Sequence, residues 1–276
     1  MDLVVTAVFI VALLLAILIL ASRTQPSRER QPMSPRDRRL ANYVWTQSTV
    51  AEDFHRALGS GTVEELEGLL RRGADVNAQV AFWTPLQRAL SRVDAPEVVS
   101  LLLRKGANPN GQNLDGDRPL NDLASKNLGD CPRAATARVL ISFGADVKAI
   151  DRLGATALHH AAADSRCTEL IKVLIEAGAE IHSKAPLTAR LPAGGGGDAP
   201  RRESRTTNGA TPLHFTTVNL AIDNAEVLLI AGANPNAQTG DGITPGDIVR
   251  AERAASINDQ HSMKCDRFLA LLARGQ

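Results

Sequence analysis

Aromatic side chains are scarce here: two Trp, one Tyr and six Phe in 276 residues. The shortage suits a thin core of Ala, Leu and Val in place of one bulky centre. Cysteine is equally sparse. Cys131, Cys167 and Cys265 form no close pair, and neither Cys-x₂-Cys nor His-x₃₋₅-His spacing occurs. That excludes the usual zinc sites and a disulfide framework, so His159, His160, His182 and His214 point to no metal. Gly-x-Ser-x-Gly and His-Glu-x-x-His are missing, and the run Gly194–Gly197 lacks the Gly-Lys-Ser/Thr ending of a phosphate loop. With no nucleophile and base to pair, the chain is not expected to be an enzyme, and neither a cofactor nor a small-molecule substrate is expected.

Repetition is what the chain has in quantity. One phrase recurs five times: Thr84-Pro85-Leu86, Arg118-Pro119-Leu120, Thr156-Ala157-Leu158, Thr211-Pro212-Leu213 and Thr244-Pro245-Gly246. A second phrase alternates with it: Gly73-Ala74, Gly106-Ala107, Gly144-Ala145, Gly178-Ala179 and Gly232-Ala233. Thr before Pro supplies a capping hydroxyl for the orphan donors of a helix start, and Pro fits the first helical position. A second helix follows as an aliphatic run, such as Val98, Leu101 and Leu102, or Leu170, Val173 and Leu174. It stops at a Gly suited to the left-handed position beyond a helix end. One such pair cannot bury its apolar face alone, so neighbours must stack.

The repeat length of about 33 residues, with its Thr-Pro-Leu-His-x-Ala phrase, resembles the ankyrin repeat. Gly154-Ala-Thr-Ala-Leu-His-His-Ala-Ala162 and Gly73-Ala-Asp-Val-Asn77 carry the likeness most clearly, while Arg118 and Gly246 depart from it. The resemblance implies an all-α ankyrin-repeat solenoid of helix-turn-helix units joined by β-turn or hairpin loops. It also implies that His159 and His214 support turn hydrogen bonds between neighbouring repeats. Partner proteins would be met by turn tips and by the concave face of the first helices. Carried over, the tips are Phe82, Trp83, Asp115, Asp117, Asp151, Arg152 and Asp241, and the concave positions are Arg88, Asp122, His160 and Phe215. For Trp83 two readings stand side by side, a hot spot on an exposed tip and packing against the preceding unit.

Taken in order, residues 3–21 form an uncharged stretch of 19 residues, close to the ~20 needed to span a bilayer as a helix. A cleavable signal peptide is the rival, but Met1-Asp2 offers no basic flank and Ile19 stands where a small residue is wanted. An N-terminal transmembrane anchor over 1–21 is therefore expected. Six Arg in residues 22–40 against Glu29 and Asp37 give +4, which places the following array in the cytoplasm, the exported side being the alternative. Residues 22–48 read as a juxtamembrane tether and cap, with Tyr43, Val44 and Trp45 over the end of the stack.

The array occupies 49–276. A degenerate leading unit spans 49–79, opened by the capping boxes Thr49-x-x-Glu52 and Thr62-x-x-Glu65. Five repeats follow over about 80–112, 113–150, 151–182, 208–238 and 239–276. The fifth is expected to place its second helix at Cys265 to Ala273 after a long connection around Ser256–Ser262. Between the third and fourth repeats lies an insertion, residues 183–207. Its glycine run and Arg201, Arg202 and Arg205 suggest a flexible loop with no core of its own. Cys131 and Cys167 fall near the second helices of adjacent units and are expected to stay reduced in the cytoplasm.

The net charge of +1 divides unevenly: 183–206 holds +3, and with 22–40 and Asp2 also set aside the array is left at −5. An acidic stack makes a poor nucleic-acid binder. Two functions remain. One is a membrane-tethered scaffold that binds a partner protein. The other is a lipid-docked module held by its Arg-rich tether and insertion on anionic membrane.

Overall fold

The structure is a computed structural model describing residues 50–78, 83–92, 95–126, 130–191, 203–256 and 258–275. The stretch expected to span the membrane, the tether and its cap, Phe82 and the tip of the insertion lie outside the described residues. Among those described, no helix is long and apolar enough to cross a membrane.

Helices come in pairs. The leading unit holds α1 (50–60) and α2 (Val63–Arg71). The first repeat holds α3 (Pro85–Ala89) and α4 (Ala95–Arg104), the second α5 (Pro119–Ser125) and α6 (Asp130–Ser142), the third α7 (Ala157–Ala163) and α8 (Thr168–Glu176). Beyond the insertion come α9 (Pro212–Phe215) with α10 (Ile222–Ile230), then α11 (Pro245–Ala254) with α12 (Asp259–Arg274). Leu66, Leu102, Leu140, Leu174 and Leu228 are buried without remainder, and one apolar cluster runs from Val50 to Leu272. Each helix pair thus adds a layer to a core that it cannot close alone.

Caps form at Thr62 and Thr84, while Thr49 lies outside the described residues. Thr62 accepts from the Glu65 amide at 3.2 Å, and Thr84 accepts from the Gln87 amide at 3.2 Å. Arg118 heads α5 without a side-chain cap, so Pro119 and packing suffice there. The glycine of each Gly-Ala phrase sits at φ between 87° and 98°, a region open to glycine and costly for other residues.

Three features depart from expectation. The insertion is not simply flexible: its flanks form an antiparallel pair, β1 (Ala185–Leu191) and β2 (Glu203–Ala210), in register from Leu187 with Thr207 to Leu191 with Glu203. Ala185, Leu187, Thr207 and Ala210 are buried, so the base of the hairpin joins the core, and the glycine-rich composition concealed it. In the last repeat α12 begins at Asp259 instead of Cys265, because Asn258 caps it by accepting from the Gln260 amide at 2.9 Å. Phe215 is a core residue and not a partner-facing one. It is 9% exposed and meets the His159 ring edge-on at 4.9 Å.

Candidate functional site

Two adjacent positions of the first helices differ in duty. One row fastens the stack through Gln87, Asn121, His159 and His214, while Asp247 at the same position caps its own helix at Thr244. The Gln87 amide group donates to the Asp117 carbonyl at 2.9 Å, and Asn121 donates to the carbonyls of Ala149 and Ala155 at 3.1 Å. His159 Nδ1 accepts from the Thr156 amide at 3.1 Å, which leaves its Nε2–H to donate to the Ser183 carbonyl at 3.1 Å. His214 repeats the arrangement with Thr211 and Ile243. Burial holds both imidazoles below their ordinary range, His159 at about 4. They are neutral structural ties.

Asparagines do similar work at the turns. Asn77 bridges Gly106 and Asn108, and Asn110 bridges Gly144 and Asp146. Asn224 crosses the insertion: its amide group donates to the Asp164 carbonyl at 2.7 Å, and its oxygen accepts from Thr168 at 2.9 Å. Arg92 donates to the Gly61 carbonyl at 2.7 Å and to the Ala57 carbonyl at 3.2 Å, closing the end of α1. No motif marked Asn224 or Arg92, since each partner lies 30 or more residues away.

The next row and the turn tips gather most of the predicted contact residues onto one face. Arg152 pairs with Asp115 at 3.2 Å across two successive turns. Asp151, 9% exposed, folds its own turn by accepting from the Leu153 and Ala155 amides, and its other oxygen meets His160 Nε2 at 2.7 Å. Asp117 is half-buried, and burial followed by the Asp151 charge raises its pKa. Asp122 is 7% exposed, and burial pushes it up to about 6 despite Lys126 at 3.3 Å from Oδ1. Lys126 also stands 4.7 Å from the centroid of the Trp83 ring.

Trp83 therefore meets the second repeat and remains partly exposed. Arg88 and Asp241 are exposed. A side chain added at Gly59 would meet the Arg88 guanidinium at 3.4 Å, so Arg88 lies against the leading unit, away from this acidic group. Leu114 and Leu153 project from the same two turns, 63% and 62% exposed. Sequence reasoning missed these two leucines and Lys126. Only their position beside predicted tips could have signalled them.

Among the described residues no group of His, Cys, Asp or Glu is arranged to hold a metal ion. The arrangement offers a charged and partly apolar surface instead. Its setting is a row of stacked helical hairpins, a class built for extended recognition.

Comparison with known proteins agrees. Residues 86–185 match the family model for ankyrin repeats, in 3 copies. The chain is 33% identical over 150 residues to the human ankyrin repeat and SOCS box protein 6, a match covering 52% of this chain and 35% of that protein. It is 34% identical over 139 residues to a transient receptor potential cation channel subfamily A member 1 homolog of Caenorhabditis elegans, covering 42% and 11%. A putative ankyrin repeat protein of Rickettsia felis is 39% identical over 59 residues, covering 21% and 26%. The chain thus spans about a third or less of each of these relatives. Residues 86–185 are thus ankyrin repeats, a module that generally mediates protein–protein interaction and is typically not catalytic.

Proposed function

We propose that this protein is a membrane-tethered scaffold that binds a partner protein through the face of Trp83, Asp117, Asp122 and the turns at Asp115 and Arg152. The supporting observation is the make-up of that face. Leu114 and Leu153 stand exposed beside carboxylates, although the core behind them is complete. Apolar side chains rimmed by charge are the usual anatomy of a protein interface. Anchorage rests on the uncharged stretch 3–21, and the cytoplasmic side on the Arg-rich residues 22–40.

The test is proximity labelling by the full chain in its own membrane. A reproducible partner set, lost on Leu114→Asp with Leu153→Asp, supports the reading. An unchanged set after those substitutions removes this face. Binding that needs only anionic lipid, and that salt abolishes, would favour the lipid-docked alternative. Protease protection of the array in intact cells would argue that it is cytoplasmic. Digestion from outside would place it on the exported side.

A further inference from the structure

Within the proposed face, Trp83, Asp122 and Asp117 form a corner with the chemistry of an organic-cation receptor. One cation already stands there. Lys126 Nζ lies over the Trp83 ring at 4.7 Å and beside Asp122 Oδ1 at 3.3 Å, so a π-face and a carboxylate share a single ammonium.

The fit is incomplete. Asp122 is 7% exposed, yet its Oδ2 is buried and has no hydrogen-bond partner. Asp117 is near enough for its charge to act on Asp122. Lys126 pairs with Asp122 alone, through one of its two oxygens, and the Asp117 charge adds to that of Asp122. The Lys126 side chain is 18% exposed and that of Asp122 8%, so the lysine lies nearer solvent.

A guanidinium matches the corner better than an ammonium does. It is planar, stacks on indole, and spreads five donors over two acceptors. Bonds from it to carboxylates are also among the stronger kind. We infer that Trp83, Asp122 and Asp117 receive an arginine side chain of the partner protein, and that Lys126 holds the place as a tethered surrogate in the free chain. This inference rests on the protein-binding reading above and names the chemistry of the partner.

The test uses the full chain in an uncharged detergent with Trp45→Phe. Since the sequence contains two Trp, Trp83 then reports alone by fluorescence. The probes are acetyl-Gly-Arg-Gly-amide and the same peptide with citrulline, which keeps the shape and removes the charge. A saturable change with the arginine peptide and none with citrulline is expected. Lys126→Ala should tighten binding about tenfold by removing the competitor, and Asp122→Asn should weaken it by about tenfold or more, a loss near 1.4 kcal/mol.

Equal responses to both peptides would overturn the inference. So would an unchanged or weaker affinity in Lys126→Ala, which would make that lysine a structural pin. Thermal melts of both variants separate lost binding from lost folding. If the partner set survives Asp122→Asn but is lost on Leu114→Asp with Leu153→Asp, the scaffold reading stands and the arginine receptor falls.

Discussion

The second and third repeats share one scaffold and treat their polar groups in opposite ways. In the third, both ring nitrogens of buried His159 are engaged and Asp151 is bound through both oxygens. In the second, Arg118 Nε, Asn121 Oδ1 and Asp122 Oδ2 are all buried without a hydrogen-bond partner. Stranded polar atoms cost stability, and three of them fall within five residues of the second repeat. The contrast separates a repeat whose polar groups are satisfied from one that strands three of them.

The sharpest way to break this contrast is His159→Ala. It removes ties to Thr156 and Ser183 and strips an edge from Phe215. The expected loss is about 3 kcal/mol, read as a lower urea midpoint. Asp122→Asn should do the reverse and stabilise by about 1–3 kcal/mol at neutral pH. Its folded pKa near 6 lies above the ordinary 3.8, so the wild type loses stability as pH rises from about 4 to 6. The gain from Asn should therefore be largest above that window and vanish below it. A gain of equal size at low pH would mean that the ionised carboxylate is not the source.

The histidine ties have the opposite pH sense. The folded pKa of His159, about 4, lies below its ordinary 6.5, so its contribution is intact above 6.5 and drains away as pH falls toward 4. Urea midpoints of wild type and His159→Gln across that window should converge. A constant gap would show that protonation is not involved. The smallest effect is expected from Asp115→Asn at the exposed pair with Arg152. A change within about 0.5 kcal/mol fits a solvated ion pair, and a larger one would assign the turn tips to the scaffold.

The fold was legible because its signals are local. Thr84, Thr211 and Thr244 cap within three residues, and each Gly-Ala phrase ends a helix by its own backbone preference. The hairpin was not, because β1 takes its order from packing on α11 and β2 from packing on α9, while the glycine run and the Arg pair between the strands point to a loop. The site was legible in part. The ankyrin resemblance picked out Trp83, Asp117, Asp122, Asp151 and Arg152, but it also picked out Phe215, which the four-residue α9 turns inward. Lys126 follows the end of α5 with no repeat position of its own, so only the folded chain brings it over Trp83.

The difference between the two repeats comes to a point at one carboxyl group. Carbonyl-detected NMR titration of Asp122 in the free protein measures it directly. A midpoint near 6, falling when an arginine peptide binds, is the predicted result. An ordinary carboxylate midpoint near 4, unmoved by the peptide, would contradict it.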